Sequence, residues 1–389
     1  MKNILFVGLY PNPLEKYRNV FYQNLIFAMA DLGIKCTVIS PVSVVRHGRK
    51  VRNIPFKKQD YTPKGSVVDV YHPRVLSASA KKIGSFNTAI ISERLFERGA
   101  LRLAKRLIKN GEQFDAVYGH FFLYGGLAAI KIGNKFNLPS FVAFGECDYE
   151  SQVRDVYGEL KKKDVDGLGG VVAVSSKNAN VLRNMPIFDG IPMIIAPNSV
   201  DHSLFYPRDK KESRQHFNLP EDKFIVGFVG GFIERKGDKR LLEAVEPLDD
   251  VYLAFAGKGD NPPQGDKVLY CDSLKHEEVG EFLSAVDVFC LPTLSEGSCN
   301  AIVEAMACGL PVVSSDLPFN DDVLTEENSI RVDPMSVSQI REAIRELKDN
   351  QTKMTAIKSE SLKKAKELDI VNRANKILLF MERIKNNKN

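Results

Sequence analysis

The chain contains no tryptophan, and its six cysteines and six histidines are scattered. No C-x-x-C or H-x3-H pair occurs, so no metal-ligand cluster is legible and no metal is expected. Cys36, Cys147, Cys271, Cys290, Cys299 and Cys308 mostly fall within strand or helix patterns. That placement suits small buried hydrophobes in a reducing compartment, not a disulfide framework. No apolar run approaches the ~20 residues of a membrane-spanning helix. The opening MKNILFVGLYPN reads as a strand entering a turn, without the small-residue cleavage site of a signal peptide, so a cytoplasmic location is expected. A G-x-G-x-x-G fingerprint with its acidic partner is also missing, which excludes the usual dinucleotide site.

What is present fits a soluble α/β protein of two domains. At 389 residues the chain exceeds a typical single core, and 44% hydrophobic with 26% charged residues is ordinary globular composition. Charge is unevenly divided: residues 1–200 hold 28 basic and 16 acidic side chains, a balance of +12, while the remainder balances at −7. An anionic partner is therefore expected for the first half only. Nucleic acid is not expected, because no recognition motif accompanies the charge. Strands are predicted at 4–8, 35–40, 115–119, 138–144, 170–175 and 193–197, with helices near 18–31, 92–109, 124–136 and 176–184. A second alternation starts at FIVGFVG (224–230) and continues through 251–257, 268–273, a helix at 276–285, 286–293 and 310–316. Helical segments at about 336–349 and 352–386 finish the chain. Such alternation implies two parallel sheets covered by helices, with ligands held where loops leave the strand ends. The polar stretch 198–222 reads as the interdomain connection.

Residues 295–316, SEGSCNAIVEAMACGLPVVSSD, are the most informative. A buried strand ends at Pro292 and Thr293, a polar loop follows, AIVEAMAC has helical period, Gly309 suits the position after a helix, and Pro311 stops it. The loop-to-helix junction offers free backbone N–H groups and the positive end of a helix dipole, which suits phosphate. Glu296 at the loop and Glu304 deeper would lie about 12 Å apart along a helix axis if both sat in or near one helix. That is about the reach from the sugar ring to the ribose of a nucleotide sugar. On the two glutamates alone, a dipole-favoured acid and a solvated helix glutamate explain the pattern equally well.

The wider string separates the two readings. E-x7-E followed by AMACGLPVVSSD resembles the signature of retaining glycosyltransferase family 4, and DAVYGHFFLYGGLAA (115–129), VAVSSKNANVL (172–182), IIAPNSVDHSLFYP (194–207) and GFVGGFIERKG (227–237) resemble further blocks in the same order. The resemblance implies the GT-B fold, two doubly wound Rossmann-like domains facing across a cleft. The domains would be 1–198 with a returning helix at about 370–389, on the acceptor side, and 199–369, on the donor side. It implies a nucleoside-diphosphate sugar donor, UDP- or GDP-linked, bound without metal. Glu296, His120 and Lys236 would be catalytic. Glu304 would hold the ribose hydroxyls, while Gly297, Ser298, Asn300 and Ala301 line the donor site. The family has arginine where this chain has Gly231, and Arg235 is the residue placed to supply that charge. DVD at 164–166 matches a metal motif of the other large glycosyltransferase fold, but it sits in a charged turn and reads as a solvated loop.

Elsewhere the pattern departs. FGECD (144–148) stands where the family often has H-G-x-D; Asp148 matches, Glu146 and Cys147 do not. The first loop, GLYPNPLEKYRN (8–19), carries Pro11, Pro13, Glu15, Lys16 and Arg18 in place of a glycine pair, so Arg18 and Asp148 are the acceptor-side candidates. SERLFERGALRLAKRLIKNG (92–111) is a basic amphipathic helix. Leu95, Leu103 and Leu107 share one face, and Arg94, Arg98, Arg102, Lys105, Arg106 and Lys109 lie largely elsewhere. Such a helix either docks on its own sheet or meets an anionic membrane, peripherally at the inner face, and RHGRKVRN (46–53) adds to that charge. The expected function is transfer of a sugar to a glycan or lipid-linked acceptor in surface polysaccharide or glycolipid biosynthesis. A nucleotide-sugar epimerase or phosphorylase on this fold, or a non-catalytic nucleotide-sugar-binding protein, would share much of the pattern.

Overall fold

A computed structural model describes residues 1–16, 18–78, 81–84 and 86–387. The chain forms two units, Met1–Ala196 with Ile370–Asn389, and Pro197–Asp369. In the first unit, β1 (Asn3–Val7), β2 (Lys35–Ile39), β3 (Lys57–Tyr61), β4 (Val67–Tyr71), β5 (Ala116–His120), β6 (Ser140–Phe144), β7 (Leu168–Ala173) and β8 (Met193–Ile195) make one sheet. Its order is β8-β7-β6-β5-β1-β2-β4-β3. Ile4 lies beside Cys36 on one side and Ala116 on the other, both in parallel register. Helices cover both faces, which is why the central strands read as unbroken apolar runs. The strand order reverses between β1 and β5, so the loops after Val7 and His120 flank the position where such sheets bind ligands.

The hairpin β3–β4 was not assigned from the sequence. KKQDY alternates exposed and half-buried side chains at the sheet edge and pairs antiparallel with β4. It therefore lacks the apolar run that marks a buried strand. The basic helix spans Ala89–Lys109 and docks on the sheet through Phe96, Ala100, Leu103, Ala104 and Leu107. Leu95 is only half-buried, whereas Glu93 and Glu97 are buried.

The second unit contains β9 (Phe224–Val229), β10 (Val251–Ala256), β11 (Val268–Asp272), β12 (Val288–Leu291), β13 (Val312–Ser315) and β14 (Ser329–Val332). The order is β11-β10-β9-β12-β13-β14, parallel throughout. Here the strand order reverses between β9 and β12, which pair in parallel, so the loops following them, 230–237 and 292–299, are neighbours. β14 (SIRV) was also missed, being short and partly polar.

The stretch 198–222 is not a free connection but part of this unit. Phe205 is buried in its core, and Arg214, on the helix Lys210–His216, donates to Asp287 Oδ2 at 2.7 Å and to the Ala285 carbonyl at 2.9 Å. Polar composition resembled a linker because these charges find partners only in the tertiary fold. The terminal helical stretch is two helices, Gln351–Glu367 and Ile370–Asn386. They part where the Leu368 carbonyl accepts from Val200 N at 2.9 Å. The last helix belongs to the first unit and buries Ala374, Ile377 and Met381 in a core shared with Ile26 and Met29.

Candidate functional site

The loop after β9 turns at Gly237, whose φ of 80° is left-handed. A Cβ there would come within 2.6 Å of the Pro292 carbonyl, so glycine lets this loop lie against the one after β12. Arg240 joins the two loops further by donating to the Pro292 carbonyl at 2.9 Å and to Glu234 Oε1 at 2.6 Å. The result brings Arg235 and Lys236 onto Glu296. Lys236 Nζ is 2.6 Å and Arg235 Nη1 2.7 Å from Glu296 Oε1, and Thr293 Oγ1 donates to the same oxygen at 2.9 Å. Glu296 is 7% exposed. Burial alone would raise its carboxyl pKa, but Lys236 and Arg235 outweigh burial and hold it below the ordinary carboxylate range. Burial likewise opposes charge on Lys236, and Cys299 and Glu296 overcome it, so its pKa lies above the usual lysine value.

The helix Asn300–Ala307 begins four residues after Glu296. Cys299 at its N-cap makes no side-chain cap, so the N-terminus of this helix keeps a positive dipole end. Asn300 Oδ1 is buried and has no partner among the described residues. Glu304, one turn into the helix, is half-buried and forms no ion pair or side-chain hydrogen bond among the described residues, and burial pushes its carboxyl up to about 7. Ser298 is held instead by Asn198: its Oγ accepts from Asn198 N and its carbonyl from Asn198 Nδ2, each at 3.0 Å. A Cβ on Gly231 would meet only the Lys258 carbonyl, at 3.8 Å, so the space beside this glycine is open.

In the first unit, His120 ends β5 and is 5% exposed. Its ring stacks on Tyr22 with centroids 4.2 Å apart, and neither ring nitrogen has a partner among the described residues. Burial, helped by Arg373 on the returning helix, lowers its pKa to about 3, so the imidazole is neutral at physiological pH. Arg18 does not stand free: it donates to both oxygens of Glu15, at 2.9 and 3.0 Å, and Arg46 lies 2.9 Å from the same carboxylate. These side chains line a cavity of about 490 Å³ together with Leu9, Val42, Phe96 and Tyr124. Asp148 is exposed and accepts from the amides of Glu150 and Ser151, capping its own loop. The buried acid of that loop is Glu146, which accepts from Phe122 N at 2.6 Å.

Sequence reasoning thus missed Thr293, Asn198, Glu93 and Glu146. Asn198 lies inside the block 194–207, but its partner is 100 residues away. Glu93 sits in a helix that reads as basic and solvated.

Residues 209–367 match the family model of glycosyl transferases group 1. A Bacillus subtilis (strain 168) protein assigned to teichuronic acid biosynthesis as the glycosyltransferase TuaC is 25% identical over 361 residues, 88% of each chain. Sucrose-phosphate synthase from Thermosynechococcus elongatus superposes with a TM-score of 0.78 at 17% identity, covering 99% of both chains. Anabaena Alr3699/HepE in complex with UDP-glucose does so with a TM-score of 0.66 at 14% identity, over 98% of this chain and 100% of that one. The fold is GT-B, and the similarity to group 1 glycosyl transferases lies in residues 209–367.

Proposed function

We propose that the chain is a retaining glycosyltransferase of family 4. It moves a sugar from a nucleoside-diphosphate sugar to a glycan or lipid-linked acceptor during surface polysaccharide or glycolipid synthesis. The carrying observation is the junction at Glu296: two cations converge on one buried carboxylate, beside an uncapped helix N-terminus, with Glu304, a carboxylate that has no side-chain partner among the described residues, one turn into that helix. Glu304 accepts from the ribose hydroxyl pair. Gly297, Asn300, Ala301 and the helix dipole meet the diphosphate, with Ser298 fixing the loop through Asn198. Lys236 and Arg235 stabilise the charge that grows as the diphosphate leaves, usually the largest catalytic contribution in such a step. Glu296 orients both cations and faces the hydroxyls of the donor sugar. These cations do the work a divalent metal does elsewhere, so turnover should survive excess chelator.

From the first unit, neutral His120 offers its two ring nitrogens to substrate. The cavity beside Arg18 is the acceptor-side candidate. Retention follows from attack by the acceptor hydroxyl on the leaving-group side, which needs no protein nucleophile. The named roles of two relatives in teichuronic acid and O-antigen biosynthesis support a surface polysaccharide product. The UDP and UDP-glucose of the Anabaena structures support the donor class.

We further place the protein peripherally at the inner face of the membrane. Arg98, Arg102 and Arg106 recur every four residues on the exposed face of the helix Ala89–Lys109, beside Phe56 and Leu76, which are 45% and 60% exposed. An anionic lipid surface complements that face.

The deciding experiment is a thermal-shift panel of UDP-, GDP- and ADP-sugars, followed by NMR of the first product. A donor at 100 times its Kd should stabilise by about 2.7 kcal/mol. A product with the anomeric configuration of the donor supports the reading; an inverted product, or donor conversion without acceptor, overturns it.

A further inference from the structure

The segment after His120 folds back on itself in a conformation that ordinary residues avoid. Phe121 has φ 62°, and Tyr124 has φ 61° with ψ −72°. Neither is glycine, and positive φ is uncommon for aromatic side chains. The turn is also pressed onto the strand end. A Cβ on Gly125 would lie 2.3 Å from the His120 carbonyl oxygen, and 2.6 Å from both the His120 nitrogen and the Val7 carbonyl. Movement of this turn is therefore movement of His120. The Phe121 ring packs against the imidazole as well, with centroids 4.6 Å apart.

Two buried carboxylates hold the turn, each from a different element. Glu93, on the helix Ala89–Lys109 and fully buried, accepts from Tyr124 N with both oxygens, at 2.7 and 2.8 Å. Glu146, on the loop after β6 and 6% exposed, accepts from Phe122 N at 2.6 Å with one oxygen and from Gly145 N at 3.0 Å with the other. No cation pairs with either among the described residues; the nearby Lys131 goes to Glu97. A buried carboxyl without a counter-ion costs stability unless it does something in return. Here each supplies the acceptor that a strained backbone N–H cannot find in a helix or sheet. Glutamine or an apolar residue would be the cheaper choice for a site that needed only filling.

We propose that Glu93 and Glu146 are positioning residues that clamp the Phe121–Gly126 turn and so fix the His120 ring for transfer. The role rests on the glycosyltransferase reading only in its last step; the clamp itself does not. It acts through His120 and touches no substrate.

The test uses the full chain carrying Glu93→Met, Glu93→Gln, Glu146→Met and Glu146→Gln, each checked for folding. Methionine keeps the volume and removes the acceptor, and glutamine keeps one oxygen. Amide hydrogen exchange at Phe122 and Tyr124 and the ring signals of ¹³C-labelled histidine report the turn without any substrate. Exchange at the amide facing the changed residue should quicken at least tenfold in the methionine variants, with most protection restored by glutamine, and the His120 signals should shift in the same order. With the donor selected by the panel, kcat should fall at least tenfold in the methionine variants while the donor KM stays within about twofold. Unchanged exchange and unchanged His120 signals in folded methionine variants would overturn the clamp. A disturbed turn with undiminished kcat would overturn its role in transfer. Should a methionine variant not fold, the glutamine variant at that position and the pair at the other carboxylate decide the same question. If the wild type transfers no sugar, the glycosyltransferase reading fails, and exchange and ring signals still judge the clamp.

Discussion

Replacing Lys236 by methionine removes one of the two cations on Glu296 while keeping most of the side-chain volume. Lys236 Nζ, Arg235 Nη1 and Thr293 Oγ1 converge on Oε1 within 2.6–2.9 Å, so this oxygen keeps Arg235 and Thr293 when Lys236 is replaced. Breaking a buried pair outright costs about 3–5 kcal/mol. Because Arg235 and Thr293 remain, and the Arg235 side chain is 36% exposed and screened, about 2 kcal/mol is expected for the folded state. In a unit of this size that lowers Tm by about 4–8 °C. The loss carries a pH signature. Lys236 holds the folded-state pKa of Glu296 down, so its stabilisation is present above the unfolded carboxylate value of about 4.3 and fades as pH falls through the lower folded value. Wild type and variant should therefore differ most near neutrality and converge in acid. The kinetic loss should be larger. A donor aimed at developing charge is worth about 10²–10³ in kcat, or roughly 3–4 kcal/mol. Scanning calorimetry at several pH values and steady-state transfer kinetics, run with excess chelator, measure both effects. A folded Lys236→Met protein retaining more than about a third of wild-type kcat would refute the assignment of Lys236 to the departing diphosphate.

Glu304→Ala should weaken donor binding by about 1.5–3 kcal/mol by calorimetry, the worth of a charge-assisted hydrogen bond. Since the free carboxyl titrates at about 7, wild-type affinity should fall as pH drops below 7 and Glu304 becomes protonated, and the Ala variant should lose that slope. His120 should show no imidazole titration by NMR between pH 5 and 8, because burial and Arg373 hold its pKa near 3; a midpoint at about 6.5 would contradict that desolvation. Arg98→Glu with Arg102→Glu should abolish cosedimentation with anionic vesicles at low salt, each basic side chain at such a surface being worth about 1 kcal/mol, and wild-type binding by that variant would remove the basic helix face from the membrane contact.

The sequence by itself determined two sheets of largely parallel strands, because strands covered on both faces must read as apolar runs alternating with helical periods, and it left out the antiparallel edge strand β3. It also located the two loops that meet at Glu296, since E-x7-E, Arg235–Lys236 and the glycines beside them are local in the chain. It did not show that Arg235, Lys236 and Thr293 meet on a single oxygen of Glu296. That depends on β9 and β12 being neighbours, which strand order decides and periodicity does not. Nor did it reveal Arg18 as a partner of Glu15, Asn198 as the clasp on Ser298, or Glu93 and Glu146 as acceptors for a strained turn. A charged residue reads as solvent-exposed until its partner is known, and these partners come from segments distant in sequence or from backbone amides freed by an unusual φ. Only the folded chain brings them together, and burial then makes each of those polar contacts obligatory.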